Sequence, residues 1–152
     1  RPIVDAVPNL VATKNTGTNV NSTADLIRIT PELQHFLGEA LFPIGCLHGE
    51  CSLLSSFGAM IPSKTKEFFE LGKTRQIEKL FLMHKDYLSM VGEILQPMLG
   101  EDRIDGAYDK MLVRLGGLNM PLRLLSPYES LSEEIFEECS RILHEKYPEW
   151  IG

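Results

Sequence analysis

The stretch that decides the fold is VPNLVATKN, which occupies residues 7–15. Its apolar part, LVAT at 10–13, follows a proline-asparagine pair and precedes the turn-forming run NTG at 15–17. A short apolar run bounded in this way is typical of a buried parallel strand that leads into a loop. Lys14 stands at the carboxyl end of the predicted strand, the edge at which βα folds place their reactive groups. We therefore take Lys14 as the first candidate functional residue.

Strands and helices alternate downstream of this segment. Ser22 and Asp25 resemble a capping box and predict the start of a short helix. A second strand is predicted at 35–37, a helix at 42–47 and a third strand at 52–55. Alternation at this tight spacing predicts successive βα units and an α/β fold built on a parallel sheet.

Beyond Pro62 the apolar residues recur about every 3.6 residues, the spacing typical of amphipathic helices. Helices are predicted around 68–71, at 77–95 and at 105–115. A fourth is predicted to begin at Ser126, with Pro127 and Glu129 in its first turn, and to run to 147. We accordingly divide the chain into a partial (β/α) barrel at residues 1–71 and a C-terminal helical region at residues 72–152.

Composition and charge disfavour several classes of protein. The 152 residues are 43% hydrophobic and 24% charged, the balance of a globular chain. A net charge of -6 disfavours nucleic acid and anionic membrane as partners. No apolar run reaches the roughly 20 residues of a membrane helix, and the N-terminus lacks the features of a signal peptide, so we expect a cytoplasmic location. The chain opens at Arg1 rather than Met, which suggests a cut product or a partial record.

Three cysteines, Cys46, Cys51 and Cys139, are an odd count in a chain that does not need disulfides for stability. Reduced thiols are therefore expected. Cys46, His48 and Cys51 could supply three zinc ligands, but a fourth is missing. We interpret the cysteines as small buried hydrophobes and predict no metal and no cofactor.

Two chemical interpretations of Lys14 remain open from the residues alone. Burial at a strand end would favour the neutral amine, which can attack a carbonyl carbon and form a Schiff base. The alternative is a solvated lysine with no catalytic role. Rival sites have less support, because Ser55 and Ser56 have no evident His and Asp partners and no Gly-rich phosphate loop is present.

Four segments together resemble a known family. They are VPNLVATKN at 7–15, FLGE at 36–39, GECSLLS at 49–55 and GLNMPL at 117–122. In order and spacing they are similar to the C-terminal half of the dihydrodipicolinate synthase and N-acetylneuraminate lyase family. The resemblance covers nearly the whole chain, and the proline-asparagine, apolar strand and lysine motif is its strongest part.

The resemblance implies strands six to eight of a (β/α)₈ TIM barrel followed by a helical extension that often contributes to oligomer contacts. It implies that Lys14 forms an imine with pyruvate or another 2-oxo acid, and that Gly38, Glu39 and Leu54 line the substrate pocket. In the family, the groups that bind the carboxylate and relay protons belong to the first five strands. We therefore expect the isolated chain to be inactive and to be oligomeric or aggregation-prone, associating either with a separate N-terminal half or with a second copy of itself as a homo-oligomer.

Two positions depart from the sialic-acid lyase pattern. Ala40 and Leu41 stand where acidic residues would hold the hydroxyls of the sugar. Burying such hydroxyls unpaired would cost on the order of 1–3 kcal/mol each, so a less hydroxylated second substrate is expected. The rival interpretations are an inactive family member and a non-catalytic interaction module that uses the amphipathic helix at 77–95.

Overall fold

The computed structural model describes residues 1–99 and 103–151. The chain forms two compact units. The first unit contains Arg1–Ser55 and Glu67–Lys85. The second contains Ser56–Lys66 and the described residues from Asp86 onward. The predicted division into a partial barrel at residues 1–71 and a helical region at residues 72–152 refers to the complete barrel, so it stays a prediction.

The first unit begins with the predicted alternation of helices and strands. Its three strands pair in parallel in the order β1-β2-β3, as successive βα units require. The bounds of these elements are α1 Pro2–Ala6, β1 Ala12–Asn15, α2 Val20–Ile29, β2 Gln34–Gly38, α3 Phe42–His48 and β3 Ser52–Leu54.

The helices after Pro62 also follow the predicted period. Their bounds are α4 Pro62–Lys73, α5 Ile77–Leu95, α6 Asp105–Leu115 and α7 Glu133–Lys146. Short 3₁₀ helices lie at Phe57–Ala59, Gln96–Met98 and Pro148–Trp150. Among the described residues, no helix is both long enough and apolar enough to cross a bilayer.

The core of the first unit lies on one side of the sheet. His35 and Leu37 alternate along β2 with exposed residues and are 1% and 0% exposed. Helices α2, α3, α4 and α5 contribute the other buried side chains, namely Ile27, Leu41, Phe42, Cys46, Phe68 and Leu80. No described element covers the other face of the sheet, which carries Lys14 and Phe36, because the strands of a barrel bury this face only against the remaining strands.

Two helices begin elsewhere than predicted. Helix α2 begins at Val20, because the side chain of Asn19 accepts a hydrogen bond from the Ser22 backbone N–H at 2.9 Å. Helix α7 begins at Glu133 rather than near Ser126, because Ser132 caps it by accepting from the backbone N–H of Ile135. The segment before α7 is instead a loop with a cis Ser126-Pro127 bond. In both cases a better-placed oxygen satisfies the first free N–H groups.

The second unit packs around aromatic and sulfur-containing side chains. Tyr87 lies between Phe57 and Trp150, with ring centroids 5.4 and 6.3 Å away. Helix α6 ends at Gly116, where a Cβ atom would lie 2.2 Å from the carbonyl oxygen of Ala59. The largest fully buried side chains of the second unit are those of Met90, Ile94, Met98, Met111, Leu112 and Leu143. The close backbone contact at Gly116 explains why a glycine stands at the end of this helix.

Candidate functional site

The parallel register aligns one row of side chains across the sheet. Lys14 lies directly beside Phe36, Phe36 beside Ser52, and Gly38 beside Leu54. Alternate residues of a strand point to the same face, and residues in register share that face. We call this surface the open face and define it by Ala12, Lys14, Gln34, Phe36, Gly38, Ser52 and Leu54.

Three of the predicted site residues therefore lie on the open face. Lys14 is the second-to-last residue of β1, and Gly38 and Leu54 are the last residues of β2 and β3. A Cβ atom on Gly38 would lie 3.5 Å from the Cα atom of Thr16, so the chain that follows Lys14 passes close to Gly38. Glu39 directly follows β2 and is half-buried. The carboxyl edge of the sheet thus brings together the residues that the sequence singled out.

The Lys14 ammonium group is exposed and makes no hydrogen bond or ion pair with a described residue. Its neighbour Phe36 is 37% exposed. The described part of the chain therefore positions Lys14 without enclosing it. An amine with no carboxylate partner keeps its nitrogen free for a reaction once the site is closed.

A polar network on the opposite face holds both chain neighbours of Lys14. The Thr13 hydroxyl lies 2.8 Å from His35 Nδ1, and His35 Nε2 lies 2.9 Å from the carbonyl oxygen of Thr30. A carbonyl only accepts, so Nε2 carries the proton and Nδ1 accepts from Thr13. On the other side of Lys14, the Asn15 amide donates to the hydroxyl of Thr23 at 3.1 Å. The backbone of Lys14 is thus fixed from both sides.

The sequence suggests a structural or exposed position for His35, as for the other three histidines, but does not indicate its partners. The available signal was the alternation along β2, which places His35 on the buried face with Leu37. A histidine that is 1% exposed requires two hydrogen-bond partners, and the nearby threonines supply them. His35 is therefore a structural residue behind the site.

Leu41 does not line the open face. It is 2% exposed and belongs to the core cluster of the first unit, beside Phe42 and Leu37. Ala40 is exposed. Of the two positions that the sequence suggested as an apolar pocket wall, only Ala40 is placed where a substrate could reach it.

Cys46 and Cys51 lie close together, with 3.8 Å between their Sγ atoms, and Cys46 and Cys139 are buried. Burial raises the pKa of Cys139 to about 11. His48 is exposed at the end of α3. Among the described residues, no three His, Cys, Asp or Glu side chains are grouped so that they could hold a metal ion.

The chain is similar to known proteins in structure rather than in sequence. No protein-family model matches the chain, and no curated protein matches it significantly. N-acetylneuraminate lyase from Fusobacterium nucleatum matches in structure with a TM-score of 0.72 at 16% identity, over 99% of this chain and 48% of that one. A prophage protein of the dihydrodipicolinic acid synthase family from E. coli K12, solved with pyruvate, matches with a TM-score of 0.73 at 18% identity. That alignment covers 94% of this chain and 48% of the other.

Dihydrodipicolinate synthase from Aquifex aeolicus matches with a TM-score of 0.69 at 15% identity, over 99% of this chain and 49% of that one. The chain thus spans about half the length of each of these proteins. The parallel β1-β2-β3 sheet and the helices that follow it correspond to the later part of a TIM barrel and its extension, as the sequence predicted. This chain therefore has the fold of the C-terminal half of the N-acetylneuraminate lyase and dihydrodipicolinate synthase barrels.

Proposed function

We propose that this chain forms half of a lyase that acts on pyruvate or another 2-oxo acid through a Schiff base on Lys14. The observation that carries the proposal is the position of Lys14, which lies near the carboxyl end of β1 on the open face. Reactive groups of barrel enzymes occupy this edge. One solved protein of the same fold holds pyruvate, which supports a small 2-oxo acid as the ligand class.

The chemistry follows from the properties of an amine and a ketone. The Lys14 nitrogen, as the neutral amine, attacks the carbonyl carbon of the 2-oxo acid, and loss of water leaves an imine. Protonation makes the imine an electron sink, so a neighbouring carbon can lose a proton and become an enamine. The enamine can then form a carbon-carbon bond or arise from the cleavage of one. Aldol cleavage, condensation and dehydration all fit this intermediate.

Gly38, Glu39 and Leu54 are proposed to line the substrate pocket. Gly38 has no side chain, which leaves space beside the row that holds Lys14 and Phe36. Leu54 lies in register with Gly38, so their backbones border the same space. Glu39 directly follows Gly38, at the carboxyl end of β2.

Ala40 supports a second substrate with few hydroxyl groups. Its methyl group is exposed and cannot accept or donate a hydrogen bond. A polyhydroxylated aldehyde would leave hydroxyls unpaired there, at about 1–3 kcal/mol for each buried group. N-acetylneuraminate is therefore expected to be a poorer substrate than a 2-oxo acid with a shorter or more apolar tail.

Catalysis is proposed to need the complementary half of a barrel. Lys14 is exposed on the open face, and the described residues do not enclose a reaction space around it. Groups that would bind the carboxylate and relay protons are expected on the complementary half, whether it belongs to the same polypeptide or to another. The 152 residues by themselves are expected to be inactive, because preorganised groups supply most of the rate enhancement.

Borohydride trapping tests the proposal in the completed barrel. Incubation with pyruvate and borohydride should reduce the imine to a stable adduct, which peptide mapping should place on Lys14. Lys14→Ala and Lys14→Arg should abolish the adduct, because neither side chain supplies a usable amine. Lys66→Ala, which removes an exposed lysine of α4, is the matched control and should leave trapping unchanged.

The same experiment separates the rival interpretations. A folded, complete protein that gives no adduct would favour an inactive relative or a non-catalytic interaction module. An adduct that persists in Lys14→Ala would show that another amine carries the reaction.

A further inference from the structure

Two thiols lie together at the opposite end of the strands from Lys14. Cys46 is in the last turn of α3, and Cys51 comes directly before β3. Their Sγ atoms are 3.8 Å apart, and both cysteines are free. We call this pair the dithiol. Only a short loop around Gly49 separates the two residues, so small local motions can change the distance between the sulfur atoms.

Glycines make room for both sulfur atoms. A Cβ atom on Gly45 would lie 3.0 Å from Cys51 Sγ, and a Cβ atom on Gly72 would lie 2.8 Å from Cys46 Sγ. Real Cβ atoms essentially never approach within 3.0 Å of a heavy atom, and Gly45 would in addition collide with Leu37. Larger residues at these two positions would displace the thiols. The dithiol therefore occupies a site shaped by two close backbone approaches.

The dithiol lines a cavity of about 310 Å³. Gln34 and Ser52, the first residues of β2 and β3, also line it, so the cavity lies at the amino ends of these strands. Lys73 and Arg75 contribute two cationic side chains to its wall. A small polar molecule could reach the sulfur atoms through this cavity without approaching the proposed lyase site.

The two thiols are not equivalent. A hydrogen bond from Cys51 lowers the pKa of Cys46, and the Arg75 guanidinium lowers it further, against the effect of burial. The same hydrogen bond and burial raise the pKa of Cys51. The thiolate is thus favoured on Cys46, while Cys51 keeps its proton. A thiolate is the nucleophilic form of cysteine, so Cys46 is the member of the pair that reacts first.

We propose that Cys46 and Cys51 form a reversible redox site that a hydroperoxide oxidises to an intramolecular disulfide. The Cys46 sulfur attacks one peroxide oxygen, the O–O bond breaks, and the leaving oxygen takes a proton to become water or an alcohol. Cys46 is then a sulfenic acid. The Cys51 sulfur attacks the Cys46 sulfur, the S–O bond breaks, and water leaves with the thiol proton. Hydrogen peroxide accepts two electrons, the dithiol loses them, and two waters form.

A thiol reductant reverses the reaction by exchange, which forms the reductant's own disulfide and restores both cysteines. The disulfide would link the end of α3 to the start of β3. This redox site is independent of the proposed lyase function, since it uses different residues at the other edge of the sheet.

Thiol counting and mass spectrometry of the full chain treated with hydrogen peroxide test the proposal. We expect the loss of two thiols per chain, a Cys46–Cys51 linked peptide, and full recovery with dithiothreitol. In Cys51→Ser, a dimedone-trapped sulfenic acid should accumulate on Cys46. In Cys46→Ser, neither the disulfide nor the trapped product should form on Cys51. Arg75→Gln should slow the oxidation of Cys46 several-fold.

Cys139→Ser is the matched control, because Cys139 is buried alone and its thiol is held protonated. It should oxidise with the same rate and the same linked peptide as the unmodified sequence. The proposal is overturned if Cys139 oxidises as fast as Cys46. It is equally overturned if peroxide produces only disulfides between chains or only irreversible acids.

Discussion

His35 and Thr13 face each other across β1 and β2, with 2.8 Å between His35 Nδ1 and Thr13 Oγ1. The same imidazole donates to the carbonyl oxygen of Thr30 at 2.9 Å. This contact behind the sheet joins two strands and the end of α2. It therefore holds β1 in the register that places Lys14 beside Phe36 on the open face.

Replacing His35 by Leu should destabilise the fold strongly. The change leaves the Thr13 hydroxyl without its partner, at roughly 1–3 kcal/mol in the free energy of unfolding, and removes one of two hydrogen bonds of the Thr30 carbonyl, which still accepts from the backbone N–H of Leu33. Thr13→Val removes only one of these contacts and should cost less. Urea denaturation of both variants and of the double variant provides the test. Equal losses in the two single variants, or full additivity in the double variant, would contradict this network.

Gly45→Ala should destabilise the first unit, whereas Gly92→Ala should stabilise its helix. A Cβ atom on Gly45 would lie 2.1 Å from Leu37 Cδ1 in the core, which predicts a cost of about 1–3 kcal/mol. No atom of the described residues lies within 4 Å of a Cβ atom on Gly92 in α5, where alanine should contribute about 0.5–1 kcal/mol. Thermal unfolding should show shifts of opposite sign. A gain in stability for Gly45→Ala would disprove the close packing of α3 on the sheet.

His84 should make stability depend on pH near neutrality. Desolvation lowers the pKa of His84 from 6.5, and its buried Nε2 atom has no hydrogen-bond partner among the residues that the structure describes. Its ring lies 6.1 Å from that of Phe68. Because the folded state resists protonation, the neutral ring favours folding at pH above 6.5. This contribution is lost as the pH falls from 6.5 through the lowered pKa.

His84→Phe should remove this dependence. The difference in unfolding free energy between the two proteins should change little from pH 8 to about 6.5, the ordinary pKa of histidine, and should change as the pH falls further. His48→Gln, at an exposed position, is the control and should not change the slope. A pH-independent difference between His84→Phe and the unmodified sequence would rule out the burial effect.

Phe36→Ser should reduce self-association of the 152-residue chain. Phe36 is 37% exposed in the middle of the open face, where its apolar ring favours contact with a second copy. Sedimentation should show an associated species for the unmodified chain and a shift toward monomer for Phe36→Ser. Leu125→Ser, at an 81% exposed position of the second unit, is the control. A monomeric unmodified chain, or a larger effect of Leu125→Ser, would contradict the role of the open face.

The sequence by itself determined the order and type of the elements. Hydrophobic period is a local property, so helix α6 at Asp105–Leu115 and helix α5 at Ile77–Leu95 have the predicted bounds. Strand β2 was recognised because apolar residues and a closing glycine are adjacent in the chain. Lys14 was singled out for the same reason, since its strand and turn signals lie within a few residues.

Helix starts were less predictable, because several residues near each start can act as caps. Ser126 and Ser132 both offer a hydroxyl before an apolar run, and only the packed chain decides that Ser132 caps α7. Likewise, the apolar side chain of Leu41 suits either a pocket wall or the core. In the structure it is buried with Phe42 and Leu37, so it belongs to the core.

Only the tertiary structure decided which distant residues meet. The contact of Thr13 with His35, the 3.8 Å approach of Cys46 to Cys51 and the row from Lys14 to Ser52 all depend on strand register and on helix packing against the sheet. Register and packing arise from the simultaneous burial of many side chains. Spacing along a single sequence carries no direct record of such long-range contacts, which is why the candidate lysine could be predicted but its surroundings could not.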